Sequence, residues 1–401
     1  MVSTLKYFIT NVIYAIRSEY KWMFILFVVW LYRVDFIPDT GGGEGKIIQV
    51  TTLFGMFYLT TKFYKGVLRC CIRSNRVVSS FTYLYLFAIL SAVWSIMPSF
   101  SFFLAFQNVV LLMVFFWLFS NFETFESLER VFLTVTVMII LFEAITLRLT
   151  YQPFLLVHYL PAGSSAALCI SYCSGELMSM REDNYLRKRL LRNCIIVSLV
   201  ILATSTSSGA NMSAVFGVAV ASLLSGRLWI GLLLVLISSI LFIYKDFAES
   251  LMYFLMPGKT EADVKTATGR KRLWDIMLNL AAKRPWFGYG FGCIERAATM
   301  TGKTQSPDAH NNYLGLYGSL GYIGSAIAYL HFSLFAHFTF VRRRFPGFAG
   351  IASALACALL NGYTFGFLSG KACSITVVFI ELVVLTYYYA QIQTTDESNN
   401  Q

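Results

Sequence analysis

The sequence predicts an all-α bundle of transmembrane helices, and three observations carry that prediction. Hydrophobic residues make up 57% of the 401 positions and charged residues only 13%, with a mean hydropathy of +0.63, far from the balance a water-soluble domain needs. Apolar runs of about 20 residues, the length that crosses a hydrocarbon core, recur between charged or Gly/Pro-containing breaks. The runs are continuous rather than alternating, which excludes a membrane β-barrel.

Taken in order, the apolar runs place about twelve spans near 22–37, 46–62, 77–97, 100–119, 131–149, 153–174, 191–207, 210–225, 228–244, 311–340, 347–366 and 372–391. Three basic connections fall on one face if the spans alternate. They are Lys62, Lys65, Arg69, Arg73 and Arg76; Arg187, Lys188, Arg189 and Arg192; and Arg342, Arg343 and Arg344. The positive-inside bias makes that face cytoplasmic, together with both termini and the polar tail Thr394 to Gln401. The formal charge of +11 is the charge of those loops, so nucleic-acid binding is not expected. No removable signal peptide is expected in Met1 to Tyr20, so the first span acts as its own signal.

The eight cysteines form no C-x-x-C pair and lie mostly in apolar runs, where cysteine is a small hydrophobe. Cys169 and Cys173 lie one turn apart without His or carboxylate partners. Cys293 is the one clear external cysteine. Neither a metal site nor a disulfide framework is expected.

The chain divides into spans one to nine (1–245), one long external loop (246–310), and spans ten to twelve with a cytoplasmic tail (311–401). A connection of that length holds a substructure of its own. Within it, Thr268 can cap a helix from Gly269 to Arg284 that Pro285 ends, with Leu273, Ile276, Met277 and Leu280 on one stripe. That stripe makes it an amphipathic helix on the outer surface of the bundle, with Arg270, Lys271 and Asp275 on the polar side and Trp274 suited to the interface. No internal repeat is visible, so nothing supports an inverted-repeat transporter.

Two features can carry chemistry. Arg270, Lys271 and Arg272 stand together on the external side, against the charge bias of the other external connections. The two guanidinium groups, the Lys271 ammonium and the helix N-terminus can clamp phosphate oxygens, or the cluster can face lipid headgroups. His310 opens the next span, where a neutral imidazole can take a proton from an attacking hydroxyl or serve as a hydrogen-bonded interfacial residue. Asp308 is near enough to orient it. His331 and His337 read as structural, His158 as interfacial. Glu143 and Glu381, inside spans, are site candidates because a charge there is costly. Trp274, Trp286, Tyr289 and Phe291 have the flat faces that stack on sugar rings.

The run "TGRKRLWDIMLNLAAKRPWFGYGFG", followed by "AHNNYLGLYGSLGYIG", resembles the O-antigen ligase and polymerase superfamily of bacterial surface-polysaccharide assembly. "SAVWSIMPSFS" at Ser91 to Ser101 is a fainter echo of the same family. The clear motifs run from Thr268 to Gly324. The resemblance implies a metal-independent, cofactor-free glycosyltransferase at the outer face of the bacterial inner membrane. Its donor would be a glycan on undecaprenyl diphosphate, its acceptor a second glycan or lipid A-core, and its surroundings membrane lipids, with a chain-length regulator as a further partner.

It implies that Arg270 contacts the lipid-linked diphosphate and that His310 activates the acceptor. Many relatives carry an arginine where this chain has "TSTSSGANMS" with Ser207 and Ser208, so Lys271, Arg272 or Arg148 could supply the second phosphate ligand, Arg148 being equally suited to snorkel. Ser207 and Ser208 either donate to the substrate or pack a tight turn, and Asn311 joins the substrate-binding set. The compact Arg270 to His310 spacing and the "RPWFGYGFG" run look more like exopolysaccharide polymerases than ligases. A polysaccharide transporter or flippase is the alternative of another class, which the collection of basic groups at one surface disfavours.

Overall fold

A computed structural model describes residues 18–35, 43–150, 160–180, 184–205, 207–227, 270–302 and 310–399, without the side chains of some helix-end residues such as Arg148 and Lys271. Every regular element among them is helical. In chain order they are α1 Ser18–Asp35, α2 Gly43–Phe63, α3 Val67–Arg73, α4 Arg76–Leu90, α5 Pro98–Phe119, α6 Phe125–Thr150 and α7 Leu160–Ser179. Then follow α8 Tyr185–Thr204, α9 Ser208–Leu224, α10 Arg270–Ala281, α11 Ile294–Met300, α12 Asn312–Val341, α13 Phe348–Asn361 and α14 Ser374–Asn399. The chain is an integral membrane protein: four of the described helices, beginning at Arg76, Pro98, Asn312 and Ser374, are long and apolar enough to cross a bilayer. The expected span at 228–244, along with His158, Thr268 and Asp308, lies outside the described residues.

Helix α7 is the axis of the bundle, buried from Pro161 to Glu176. Its sequence, rich in Gly, Ala, Ser and Cys, lets neighbouring backbones approach closely, the usual way helices associate where there is no water to expel. A Cβ on Gly175 would stand 2.7 Å from the Ala349 carbonyl of α13, and one on Gly217 of α9 would stand 2.1 Å from Ser171 Oγ.

The two ends of α7 are fastened differently. At its C-terminal end the Arg187 guanidinium bridges Glu129 of α6 (Nε to Oε2, 2.5 Å) and Glu176 of α7 (Nη2 to Oε2, 2.5 Å). Glu176 also accepts the backbone N–H groups of Gly347 and Gly350, both at 2.8 Å. One cation therefore serves two carboxylates, and the start of α13 supplies the remaining donors, as helix N-termini do for anions. Tyr172 Oη donates to Glu129 Oε1 at 3.0 Å. Arg187, expected as one of the basic residues that set orientation, is also a nearly buried structural cation. At the other end, Ser164 and Asn361 exchange hydrogen bonds of 3.1 and 3.2 Å, and the candidate site is built there.

Two expected spans take other forms. The run expected as a helix over 347–366 stops at Asn361. Polar Asn361 and Thr364 with Gly362 and Gly366 break it, and residues 362–373 continue as turns. Helix α13 is thus only about 21 Å long at 1.5 Å per residue. Non-helical backbone away from water persists only where protein satisfies it, and Phe365, Phe367, Leu368 and Ser369 are buried. Helix α12 is longer than a bilayer needs and broken at Gly321, where φ is 67° and ψ −165°.

Candidate functional site

Three helices begin beside the segment 361–368. Helix α10 starts at Arg270, whose Nη1 donates to the Thr364 carbonyl at 3.2 Å. Helix α12 starts at Asn312, whose backbone N–H donates to the Gly362 carbonyl at 2.7 Å and whose Oδ1 accepts from the Leu368 N–H at 2.8 Å. Helix α9 starts at Ser208, and its next residue, Gly209, lies so close to Thr364 that a Cβ there would stand 2.2 Å from Oγ1. Three N-termini and a guanidinium at one place make it electropositive, a setting that favours an anion. The opposing carbonyls at the end of α13 are occupied: Tyr313 Oη donates to Leu359 O at 2.5 Å and Thr364 Oγ1 to Asn361 O at 3.0 Å.

The floor of this region is buried and polar, with Ser164, Ser205, Ser207, Asn311, Asn312 and Asn361 all below one-tenth exposure. Its rim is half-exposed and carries Arg270, His310, Ser208, Gly209 and Thr364. His310 has a φ of 48°, the only non-glycine positive φ among the described residues, a conformation that costs energy and is held only by its surroundings. Its Nδ1 is shut off from solvent.

Arg270 and Asn312, two residues after His310, therefore bond the same turn. Ser207 and Asn311 each cap a helix: Ser207 Oγ accepts from Ala210 N at 3.4 Å, and Asn311 Oδ1 from Leu314 N at 3.0 Å. Ser208 sits half-buried in the first turn of α9. Arg272 is exposed, and Trp274 packs partly buried against the apolar cluster of Leu273, Met277 and Leu280. The expected stripe on α10 is present, but it packs on α11 and α12 within the protein. The Lys271 and Arg148 side chains lie outside the described part of the structure.

The aromatic candidates divide. Tyr289 and Phe291 are buried and so do not stack on a ligand; they anchor the Gly-rich turn. Trp286 is 63% exposed and lines, with Trp94, Arg284 and Phe287, an open groove of about 490 Å³. Cys293, expected to be external, is fully buried, with Ser95 and Ser101 hydroxyls at 3.3 and 3.2 Å from its sulfur. His331 is buried beside Ser80, Nδ1 to Oγ 3.0 Å, a packing role. Glu381 is likewise buried, accepting from Thr136 at 3.0 Å.

Reading by spans missed Asn361, Thr364, Asn312 and Ser164. "NGYTFGFLSG" at 361–370 was the available signal: polar and glycine residues at that density do not suit a continuing transmembrane helix.

The family model described as O-antigen ligase matches residues 193–329. No curated protein matches the chain. The matched region contains Ser207, Ser208, Arg270, Trp274, His310 and Asn311, whereas Arg148 and the 361–368 turn lie outside it. The match to residues 193–329 supports the membership of this chain in the O-antigen ligase and polymerase superfamily.

Proposed function

We propose that the protein is a membrane glycosyltransferase that polymerises repeat units carried on undecaprenyl diphosphate, working at the outer face of the inner membrane with both chain ends in the cytoplasm. The acceptor hydroxyl gives its proton to His310 as its oxygen bonds to the donor's anomeric carbon. The bond from that carbon to the diphosphate breaks, and its electron pair leaves on the diphosphate oxygen. Arg270 and the helix N-termini beside it offset the charge that develops there. No metal or cofactor is required for this balance.

The observation that supports the reading is the meeting of Arg270, which bonds Thr364, and the His310–Asn312 segment, which bonds Gly362, on one turn. Replacing Arg270 or His310 by Ala in the native host tests it. Loss of long chains, with single repeats still attached to their acceptor, is expected. An unchanged chain-length ladder in properly inserted variants would refute the enzymatic reading.

The match to a family model described as O-antigen ligase favours a second reading, transfer of finished glycan onto lipid A-core. It is recognised in the same experiment by loss of all attachment to core. A transporter is recognised by unchanged linkage chemistry with glycan retained inside the cell.

A further inference from the structure

The break in α12 and the glycine-rich turn fit each other bond for bond. In an unbroken helix the N–H groups of Tyr322 and Ile323 would bond the carbonyls of Gly318 and Ser319, four residues back. At Gly321 those two bonds are absent, and residues 285–290 are inserted between the halves. Tyr322 N donates to Pro285 O at 2.7 Å and Ile323 N to Trp286 O at 3.3 Å, while Tyr289 N donates to Gly318 O at 3.1 Å and Gly290 N to Ser319 O at 2.9 Å. Two donors and two acceptors released by the break meet two acceptors and two donors of the turn.

Backbone contact this close leaves no room for side chains. A Cβ on Gly288 would stand 2.4 Å from Ser319 O, and one on Gly321 2.3 Å from the Trp286 carbonyl carbon; φ is positive at both, which only glycine adopts freely. The far side of the turn is held by the 91–101 segment. Ile96 N donates to Tyr289 O at 3.1 Å, Phe291 N to Ser91 Oγ at 2.9 Å, and Ser101 Oγ to Phe291 O at 2.9 Å. Tyr289 Oη reaches back to Leu280 O near the end of α10, 3.1 Å away.

We propose that this splice is a positioning device. It joins α10, with Arg270 at its head, to the half-helix 312–320, with His310 just before its head, and so sets the spacing between the two functional groups. Gly288 and Gly321 are positioning residues that touch neither reactant. A continuous α12 would let the two heads move independently. The role assigned to the spacing rests on the function proposed above, but the splice itself has a readout that does not.

The test begins with amide hydrogen exchange on the protein in lipid nanodiscs. The N–H groups of Tyr289 and Gly290 are expected to be protected. In Gly288→Ala they exchange at least about tenfold faster, with α7 and α13 unchanged, because the turn opens as a local unit. Glycan polymerisation falls at least about tenfold per inserted molecule. A cysteine pair, Trp286→Cys with Tyr322→Cys, replaces two exposed rings whose centroids are 5.7 Å apart. In Gly288→Ala its disulfide, formed outside the cytoplasm, re-seats the turn and restores at least half the activity that the same cysteine pair has without Gly288→Ala, whereas either single cysteine does not.

Free exchange at Tyr289 and Gly290 in the unsubstituted protein would overturn the splice. Normal polymerisation in Gly288→Ala with those amides exposed would overturn its positioning role. Should Gly288→Ala fail to insert, the cysteine pair without that substitution decides: it must crosslink and be as active oxidised as reduced, and failure of either counts against the splice. If Arg270→Ala and His310→Ala are both fully active, the proposed function fails while the exchange result still reports on the splice.

Discussion

The guanidinium of Arg270 donates to the backbone carbonyl of Thr364 at 3.2 Å, so the first residue of α10 is fastened to the turn that ends α13, far away in sequence. One Nη1 group is used in that bond, and the guanidinium has four further N–H donors. Arg270→Lys keeps the charge but not the fork. With charged hydrogen bonds worth about 1.5–3 kcal/mol, Arg270→Lys is expected to lower polymerisation roughly 10- to 100-fold, and Arg270→Ala further, in an assay with purified lipid-linked donor. Equal rates for Lys and Arg would show that only the charge matters.

Gly209 and Thr364 form a contact that admits no methyl group, since an added Cβ would stand 2.2 Å from Oγ1 and 2.7 Å from Cβ of Thr364. Gly209→Ala should therefore displace the turn that holds Arg270 and reduce polymerisation. Thr364→Gly removes the colliding atoms yet keeps the carbonyl that Arg270 uses. The double variant is expected to be more active than Gly209→Ala alone, a coupling that a double-mutant cycle reads directly. Strict additivity would disprove the contact.

At the opposite end of α7, Arg187 holds Glu129 and Glu176 with its side chain 12% exposed and theirs 2%. Removing one partner of a buried ion pair leaves uncompensated charge, at a cost of about 3–5 kcal/mol. Arg187→Ala should lower the melting temperature in detergent and the amount of inserted protein, without changing polymerisation per folded molecule. A melting curve that does not move would mean the cluster contributes no stability.

Cys293 sits buried under the turn with Ser95 and Ser101 on its sulfur. A membrane-impermeant maleimide applied to intact cells should leave it unmodified, and labelling should appear only after denaturation. In the Gly288→Ala variant, where the turn is loosened, labelling from outside should rise. Ready labelling of the unsubstituted protein would contradict this packing.

Much of the architecture was legible because its cause is local. Hydropathy and charge placed helices close to where α5, α6, α9, α12 and α14 lie, and the heptad-like stripe of Leu273, Met277 and Leu280 marked α10 before any packing was known. The errors fell where long-range pairing decides. Apolar content carried the expected span past Asn361, although glycine and polar residues there turn the chain. Tyr289 and Phe291 stood among the sugar-stacking candidates because a sequence does not say which face of a glycine turn meets the protein. The ion pairs of Arg187 were not legible because Glu129 and Glu176 are distant or unremarkable neighbours along the chain.

The sequence by itself determined that this is a helical membrane protein, and its ordered motifs around Arg270 and His310 pointed to the superfamily that the match at 193–329 supports. Hydrophobicity, helical periodicity and glycine content are properties of neighbouring residues, so they can be read along the chain. Tertiary structure alone decided that Arg270 and Asn312 bond one turn, that Ser207 and Asn311 each accept a helix-cap hydrogen bond, and that residues 285–290 fill the break at Gly321. Each of these is a hydrogen bond or close contact that needs its partner in place, and linear order does not carry that information.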